Sequence, residues 1–119
     1  MNEVVVTNIV LHKQSKQLEI SFDDGQTFQL PAEFLRVHSP SAAVQGHSPE
    51  QAKLETGKRE VGITHVEPVG HYAIKIFFDD NHNTGIFTWE LLHRMGEQYH
   101  TMWQNYLERL SQAGASRDA

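Results

Sequence analysis

The fold is decided by residues 17–37, QLEISFDDGQTFQLPAEFLRV. The stretch begins with alternating apolar and polar side chains, which is typical of a strand with one buried face. Asp24-Gly25 follows as a strong hairpin signal, because glycine accepts the positive φ that tight turns require. Pro31 then suits the first position of a helix, where no intrahelical N–H bond is lost. We therefore expect strands over residues 17–22 and 27–30 and a helix over residues 31–37.

The later half of the chain repeats this unit in outline as FFDDNHNTGIFTWELL, residues 77–92. Its turn is longer, and its helix starts at Trp89, capped by Thr88 and closed by Gly96. Two interpretations are open: real pseudo-symmetry, or two hairpins that share only their turn chemistry. The other expected strands cover residues 4–12, 61–66 and 72–78, with a break at Glu67-Pro68-Val69-Gly70.

The end of the chain carries the clearest periodicity in the sequence. Apolar side chains recur within residues 97–111 with the spacing of one helical stripe: Tyr99, Met102, Trp103, Tyr106, Leu107 and Leu110. The stripe either docks on the domain's own sheet or forms a surface for another chain, so we expect a monomer or a weak dimer through this helix. Residues 112–119 are expected to form a disordered tail. The pattern as a whole predicts one α+β domain over residues 1–111: a small, mostly antiparallel sheet from two strand–turn–strand–helix units, with a C-terminal amphipathic helix.

Composition restricts the classes of function. The 119 residues fit one domain, and the absence of cysteine excludes disulfides, thiolate ligands and thiol nucleophiles. The net charge of −5 has the wrong sign for a general nucleic-acid binder. No apolar run approaches the roughly 18–20 residues that span a bilayer, and the N-terminus lacks the features of a signal peptide. We therefore expect a cytoplasmic protein without membrane or nucleic-acid partners.

The segment between the two units is rich in Ser, Pro, Gly and Ala. Within it, Ser48 is a helix start that predicts a short helix ending at Thr56. His38 and His47 flank part of this segment, and His82 lies in the second turn. If the loop and the turn are neighbours, the three imidazoles could bind zinc or another borderline ion. The alternative is that all three are ordinary loop histidines.

Aspartates and serines are the other candidates for chemistry. The aspartates at the two turns, at positions 23, 24, 79 and 80, are expected to form turns and not acid–base pairs. Ser39 and Ser41 are expected to be caps or turn residues, because nothing in the pattern places a base beside them. A hydrolase built on Ser41, His47 and an aspartate is an alternative that would require a pocket.

Five separated motifs stand in a specific order along the chain. They are FLRVHSPSA at residues 34–42, GHSP at 46–49, GK at 57–58, VEPVG at 66–70, and FDDNHNTGI at 78–86 with Trp89 after it. Together they resemble the DUF971 family, the gamma-butyrobetaine hydroxylase-like N-terminal domain, in its stand-alone bacterial form. The resemblance covers roughly residues 4–96.

The resemblance implies a small mixed α/β module without catalytic parts of its own. In that family the domain stands alone in bacteria, precedes the catalytic domain in carnitine-pathway oxygenases, and follows a P-loop ATPase of the iron–sulfur carrier type in plastids. It therefore implies a non-catalytic accessory domain that binds another protein, such as a P-loop iron–sulfur carrier or an oxygenase. Through that partner the domain would be linked to iron–sulfur cluster or metal handling.

The oxygenase branch of that family binds zinc through three cysteines and a histidine, which correspond here to Ser39, Ser41, Val44 and His82. Because serine is a poor zinc ligand and valine is none, the resemblance does not imply bound zinc, and no cofactor is expected. The expected binding surface combines the loop of residues 36–49 with the turn of residues 79–84. Its candidate residues are Arg36, His38, Ser39, Ser41, His47, Asp79, Asp80 and His82.

Overall fold

The computed structural model describes residues 4–41 and 54–118 of the chain. In these residues the chain forms two three-stranded antiparallel sheets, each followed by a helix, and then a C-terminal helix. The elements in chain order are β1 (Val6–His12), β2 (Gln17–Phe22), β3 (Thr27–Pro31), α1 (Ala32–Val37), β4 (Ile63–Val69), β5 (Ala73–Phe78), β6 (Ile86–Thr88), α2 (Trp89–Glu97) and α3 (Tyr99–Ala113). The expected α+β fold of two strand–turn–strand–helix units with a C-terminal helix is confirmed.

The two units share details beyond the type of their turns. In both, the middle strand lies at the centre of its sheet, and the first strand has a register shift near its start. The phenylalanine that ends the middle strand donates its N–H to a carbonyl four positions on, that of Gln26 or His82. Positive φ occurs at equivalent turn positions, Gly25 and Asn81. These shared features favour the pseudo-symmetry interpretation.

One core cluster joins the buried faces of both sheets to α1 and α2. Along β2 and β5 alternate side chains point into this core: Leu18, Ile20, Phe22, Ile74, Ile76 and Phe78. This is the period of two that predicts the strands from the sequence. Full burial of each such side chain contributes roughly 1.5–3 kcal/mol. The two middle strands therefore anchor the turns that follow them.

Two boundaries in the second unit differ from the sequence prediction. β4 continues through Pro68, where a break is expected. Proline is tolerated there because β4 is an edge strand, so the missing N–H interrupts no central ladder. α2 ends at Glu97, so Gly96 does not close the helix as expected. Gly96 instead lies against the ring of Phe28, so closely that a Cβ would overlap ring atoms.

α3 packs its apolar stripe on the chain's own core. Tyr106 and Leu110 are buried, and Tyr99, Met102 and Trp103 are partly buried against the two core clusters. The helix starts and ends two residues later than expected, and it stops at a glycine with a φ of 64°. Docking within the domain therefore accounts for most of the stripe. Neither α3 nor any other described helix is long and apolar enough to cross a membrane.

The C-terminal residues bond to other parts of the chain, where a disordered tail is expected. Arg117 forms two hydrogen bonds of 2.7 Å with the carboxylate of Glu33, which is buried on α1. The backbone N–H groups of Gly57 and Arg59 donate to the carbonyls of Ser116 and Arg117. Residues 114–118 are therefore attached to the domain by backbone bonds and an ion pair.

The segment between the two units is described only at its ends. The helix expected from Ser48 to Thr56 lies mostly outside the described residues, and residues 54–56 contain no helix. His47 also lies outside the described residues. At the later end of the segment, the carbonyl of Glu55 accepts a hydrogen bond of 2.7 Å from the Tyr106 hydroxyl, so this end is held against α3.

Candidate functional site

Each turn places an aspartate against the helix of the other unit. In the first turn, Asp24 Oδ2 lies 2.7 Å from Nε2 of His93 on α2. In the second turn, Asp80 Oδ2 accepts a hydrogen bond of 2.9 Å from Nε of Arg36 on α1. The two contacts are reciprocal, as pseudo-symmetry requires, but the residues around them differ. Because of that difference, we interpret the first contact as part of the packing and the second as part of a candidate functional site.

The first of these two sites is filled by aromatic packing. Phe28 meets the rings of Phe22 and His93 edge-on, with centroids 5.9 and 5.8 Å away. Gly96, which lies on α2 of the second unit, packs directly on the Phe28 ring. Such edge-to-face pairs are a favourable arrangement in protein cores. We interpret this site as structural.

The second site is polar and lies at the base of the loop between the units. Arg36 is only 7% exposed, and its Nε donates to Asp80. Lys58 Nζ donates to the same Asp80 oxygen over 3.0 Å, and Glu55 Oε1 lies 3.7 Å from Nη1 of Arg36. Within the described residues, this Nη1 is a buried nitrogen without a hydrogen-bond partner. The cluster of two cations and two carboxylates ties α1 to the second turn and to the far end of the loop.

The charge states at this site follow from burial and from the neighbouring charges. Burial raises the pKa of Asp80, but the hydrogen bond from Lys58 and the charge of Arg36 outweigh that effect, and the net pKa is lowered. Burial lowers the pKa of His82, and the charge of Arg36 acts in the same direction. At neutral pH, Asp80 is therefore a carboxylate and His82 a neutral imidazole.

The imidazole of His82 lies beside Ser39. His82 Nε2 and Ser39 Oγ are 3.0 Å apart, which is a hydrogen-bond distance. The expectation that no base lies beside Ser39 is therefore wrong, because the turn and the loop bring together residues 43 positions apart. Ser39 is fully buried, and Gly85 packs so closely that a Cβ there would overlap Ser39 Oγ. The pair fastens the start of the loop to the turn and is not open to a substrate in this structure.

His38 lies apart from this polar cluster, on the side of α3. Its Nδ1 donates to the carbonyl of Phe34 over 2.9 Å, and its ring contacts those of Phe34 and Tyr106. Burial lowers the pKa of His38, and the charge of Arg109 lowers it as well. His38 is therefore a neutral, half-buried ring that belongs to the helix packing.

An open groove adjoins His38. It has a volume of about 390 Å³ and lies where the end of α1 meets α2 and α3. The residues that line it are His38, Pro40, Leu91, Arg94, Met95, Gln98 and Met102. A mostly apolar lining with a few polar groups is the usual composition of a binding site.

The expected histidine metal site is not assembled in the part of the chain that the structure describes. No group of three or more His, Asp, Glu or Cys side chains that could hold a metal ion occurs there. His82 bonds to Ser39, whereas the ring of His38 contacts Phe34 and Tyr106. His47, the third candidate, lies outside the described residues.

The zinc site of the family's oxygenase branch does not fit the residues present in this chain. Ser39 and Ser41 would offer hydroxyl groups in place of thiolates, and zinc in proteins is bound by Cys, His, Asp or Glu. The Nε2 atom of His82 is already bonded to Ser39. Val44 lies outside the described residues and has no side-chain ligand atom.

The structure brings four of the predicted surface residues together: Arg36 and Asp80 belong to the charged cluster, and the pair of His82 and Ser39 lies beside it, joined to Asp80 by the N–H of His82. Ser41 is buried beside them, and its N–H donates to Ser39 Oγ over 3.4 Å. Asp79 is exposed at the same turn. His38 lies at the groove, and His47 falls outside the described residues. The predicted surface therefore divides into a polar cluster and a groove that share the start of the loop.

Several residues of these two sites were not predicted from the sequence, among them Lys58, Glu55, Arg94 and Met95. Lys58 had a signal, because it stands in the GK motif at residues 57–58. Glu55 and Arg94 had none, since a single charged residue in a loop or on a helix is most often solvated. Met95 also had no signal, because an apolar residue on a helix that covers a sheet is most often part of the core.

Comparison with known proteins identifies close relatives. The family model described as "Gamma-butyrobetaine hydroxylase-like, N-terminal" matches residues 9–93. Two proteins with NMR solution structures are 46% and 47% identical to this chain, with TM-scores of 0.86 and 0.84; each comparison covers 98% of this chain, and 92% and 86% of the other. A crystal structure of a protein of unknown function in the DUF971 family, from Acidithiobacillus ferrooxidans, is 41% identical with a TM-score of 0.65, over 76% of this chain and 91% of that one. No curated protein gives a significant match.

Proposed function

Because the chain belongs to the gamma-butyrobetaine hydroxylase-like N-terminal family, or DUF971, we propose that it is a non-catalytic accessory domain that binds another protein. The binding surface consists of the loop that begins at Arg36 and the turn of residues 79–84. The observation that carries this proposal is the contrast between the two pseudo-symmetric sites. The first is filled by Phe28 and its aromatic neighbours, whereas the second holds a polar cluster at the base of a long loop.

The ion pairs of the cluster support a binding role because they fix both ends of the loop. Arg36 lies in the last turn of α1, just before the loop, and Lys58 lies near the end of the loop; both donate to Asp80. A loop that is held at its two ends loses less conformational freedom on binding than a free loop. Loops positioned by a rigid sheet commonly carry recognition groups.

The family resemblance supplies the class of partner. Domains of this kind accompany P-loop carriers of iron–sulfur clusters or oxygenases, so the partner in this proposal is a cytoplasmic protein of one of these types. The domain then acts in iron–sulfur cluster or metal handling through contact with that partner, without holding the metal itself.

A charge reversal at the second turn tests the proposal, with the first turn as the matched control. Asp79 and Asp23 are both exposed and occupy equivalent turn positions. The chain is immobilised, and the proteins that it captures from a lysate of the source cells are quantified by mass spectrometry. We expect Asp79→Lys to reduce the captured partner about fivefold or more, and Asp23→Lys to leave it unchanged. Equal capture by both variants would contradict the proposed surface.

Titration with zinc, nickel or ferrous iron separates this function from metal binding. The ring signals of the histidines report the outcome in NMR spectra. We expect no common shift of His38, His47 and His82 at micromolar metal. A joint shift of the three rings would replace the proposed function with that of a metal-binding protein.

A further inference from the structure

The groove beside His38 is an apolar surface that the polar cluster does not use. Its floor is formed by Pro40, Leu91, Met95 and Met102. Leu91 and Met102 keep part of their surface exposed, so the floor is open to a ligand. A volume of about 390 Å³ lies at the lower end of the range for binding pockets, with room for roughly one or two apolar side chains. Methionine side chains adapt readily to partners of different shape.

Among the described residues that line the groove, Arg94 carries the one formal charge, which is positive, although the net charge of the chain is −5. All five arginines lie in described residues, and three of them form salt bridges. Arg94 and Arg109 form none with the described residues. Arg94 lines the groove, and Arg109 lies close to His38. Glu97, on the same helix as Arg94, pairs with His93 instead.

From this lining we propose that the groove binds a segment of the partner protein that carries apolar side chains beside a carboxylate. The inference rests on the proposed function and adds the chemistry of the partner's docking segment. The apolar side chains fill the floor, and the carboxylate pairs with Arg94. Arginine–carboxylate pairs are frequently bidentate, so Arg94 also orients the segment. Pro40 and His38 connect the groove to the start of the loop, so one partner contacts both surfaces.

Selection from a display library of random heptapeptides on the immobilised full chain tests this chemistry. We expect enrichment of sequences with Leu, Ile, Phe or Met within two positions of Asp or Glu. On the Arg94→Glu variant the same peptides bind about five- to tenfold more weakly, because attraction becomes repulsion. A fresh selection on that variant enriches Lys or Arg in place of the acidic residue.

Lys13→Glu is the matched control for this charge reversal. Lys13 is exposed between β1 and β2 and is not among the residues that line the groove. Its reversal changes the net charge of the chain by the same amount and leaves peptide binding unchanged. No enrichment on the unmodified chain, or equal weakening by both variants, overturns the proposal.

The methionine methyl groups locate the bound peptide. The chain has three methionines, and labelling their methyl carbons with 13C gives one NMR signal for each. A selected peptide shifts the signals of Met95 and Met102, while Met1 serves as the internal control. Peptides that bind without shifting Met95 and Met102 overturn the groove assignment.

Two other occupants of the groove have their own signatures. Peptides that bind only after residues 42–53 are replaced by a Gly/Ser linker indicate that the chain's own loop occupies the groove. Peptides that dissociate a dimer in sedimentation experiments indicate a second copy of the chain. Either result overturns the proposal of a partner segment.

Failure of this inference is distinguishable from failure of the proposed function. If Asp79→Lys reduces partner capture while Arg94→Glu does not, the groove inference fails and the proposed function stands. If both variants leave capture unchanged, both fail. If both variants reduce capture and Lys13→Glu does not, both are supported.

Discussion

At the scale of single residues, Arg36 is the residue on which the candidate site is built. Its guanidinium is almost completely buried, so its charge has to be compensated within the fold. Asp80 compensates it through a direct hydrogen bond, whereas Glu55 lies farther away, at 3.7 Å. Nη1 has no hydrogen-bond partner in residues 4–41 and 54–118. Asp80 therefore provides most of the compensation.

Replacement of Asp80 by asparagine tests this role. Asp80→Asn keeps the size of the side chain but leaves Arg36 without its closest negative charge. Because the Asp80 side chain is 24% exposed, we expect a loss of about 1–2 kcal/mol in the free energy of unfolding, measured by urea denaturation. Asp79→Asn is the control, since Asp79 is exposed at the same turn and lies outside the charged cluster. A loss that is no larger than in this control would contradict the role of Asp80.

The residues of the candidate site can be predicted from sequence, but their contacts cannot. Turn chemistry predicts that Asp80 bonds to its own turn, and it does accept from the N–H of His82. The bond from Arg36 joins residues 44 positions apart, and it depends on how one unit packs on the other. The same holds for Ser39 and His82. Local sequence patterns carry no information about how the two units pack on each other, so these long-range contacts are seen only in the folded structure.

At the scale of elements, α2 depends on a glycine for its position against the first turn. Gly96 lies inside the helix, where glycine costs roughly 1 kcal/mol relative to alanine. Glycine is nevertheless required at this position, because the Phe28 ring occupies the space in which a Cβ would lie. The approach of the helix to the sheet is therefore set by the smallest residue.

Gly96→Ala is expected to destabilise the fold although alanine favours helices. Overpacking of a core contact typically costs about 1–3 kcal/mol, which exceeds the gain in helix propensity. The free energy of unfolding from urea denaturation measures the balance. Phe28→Leu is the companion variant, since it removes the ring that the new methyl group would overlap. The double variant should lose less than the sum of the two single variants, and simple additivity would show that the contact is not responsible.

Sequence periodicity predicts the elements better than their ends. The alternation in β2 and the stripe of α3 depend on many side chains at once, and both are found in the structure. The break expected at Pro68 and the helix end expected at Gly96 each depend on one residue. In both cases tertiary context decides: an edge strand tolerates the proline, and a close ring requires the glycine. A residue that usually ends an element is therefore a weaker signal than a repeated pattern.

At the scale of the whole molecule, the C-terminus contributes to the stability of the domain. Arg117 pairs with Glu33, whose side chain is 8% exposed on α1. We expect Arg117→Met to lower the free energy of unfolding by about 2–3 kcal/mol, because a buried carboxylate loses its cation. Amide hydrogen exchange should also become faster at Gly57 and Arg59, which donate to the C-terminal residues.

Two further variants check that the buried charge causes this loss. Glu33→Gln in the Arg117→Met background removes the uncompensated carboxylate and should restore part of the stability. Asp118→Asn breaks the pair with Arg59, in which both side chains are well exposed, and should cost only about 0–1 kcal/mol. If Arg117→Met costs no more than Asp118→Asn, residues 114–118 do not stabilise the domain.

The pH dependence of stability belongs to the molecule as a whole, since it sums over all groups whose pKa changes on folding. Burial lowers the pKa of His38 and His82 from the usual value of 6.5. The unfolded chain therefore takes up these two protons at a higher pH than the folded chain, and the free energy of unfolding falls as the pH drops below 6.5. Hydrogen bonds from Gln26 lower the pKa of Asp24 to about 2, and the pKa of Asp80 is lowered as well. These two carboxylates continue the loss below pH 4 for the same reason.

Urea denaturation at pH 7.5 and pH 5.0 separates the histidine contribution from that of the carboxylates. His38→Asn and His82→Gln together remove both imidazoles and keep polar side chains, so the double variant should lose less stability between the two pH values than the original chain. His71→Gln replaces an exposed ring and is the control for the loss of a histidine as such. Because His82 joins the turn to the start of the loop, the same range should also weaken capture of the partner. If the double variant loses as much stability as the original chain between these two pH values, groups other than His38 and His82 set the acid sensitivity in this range.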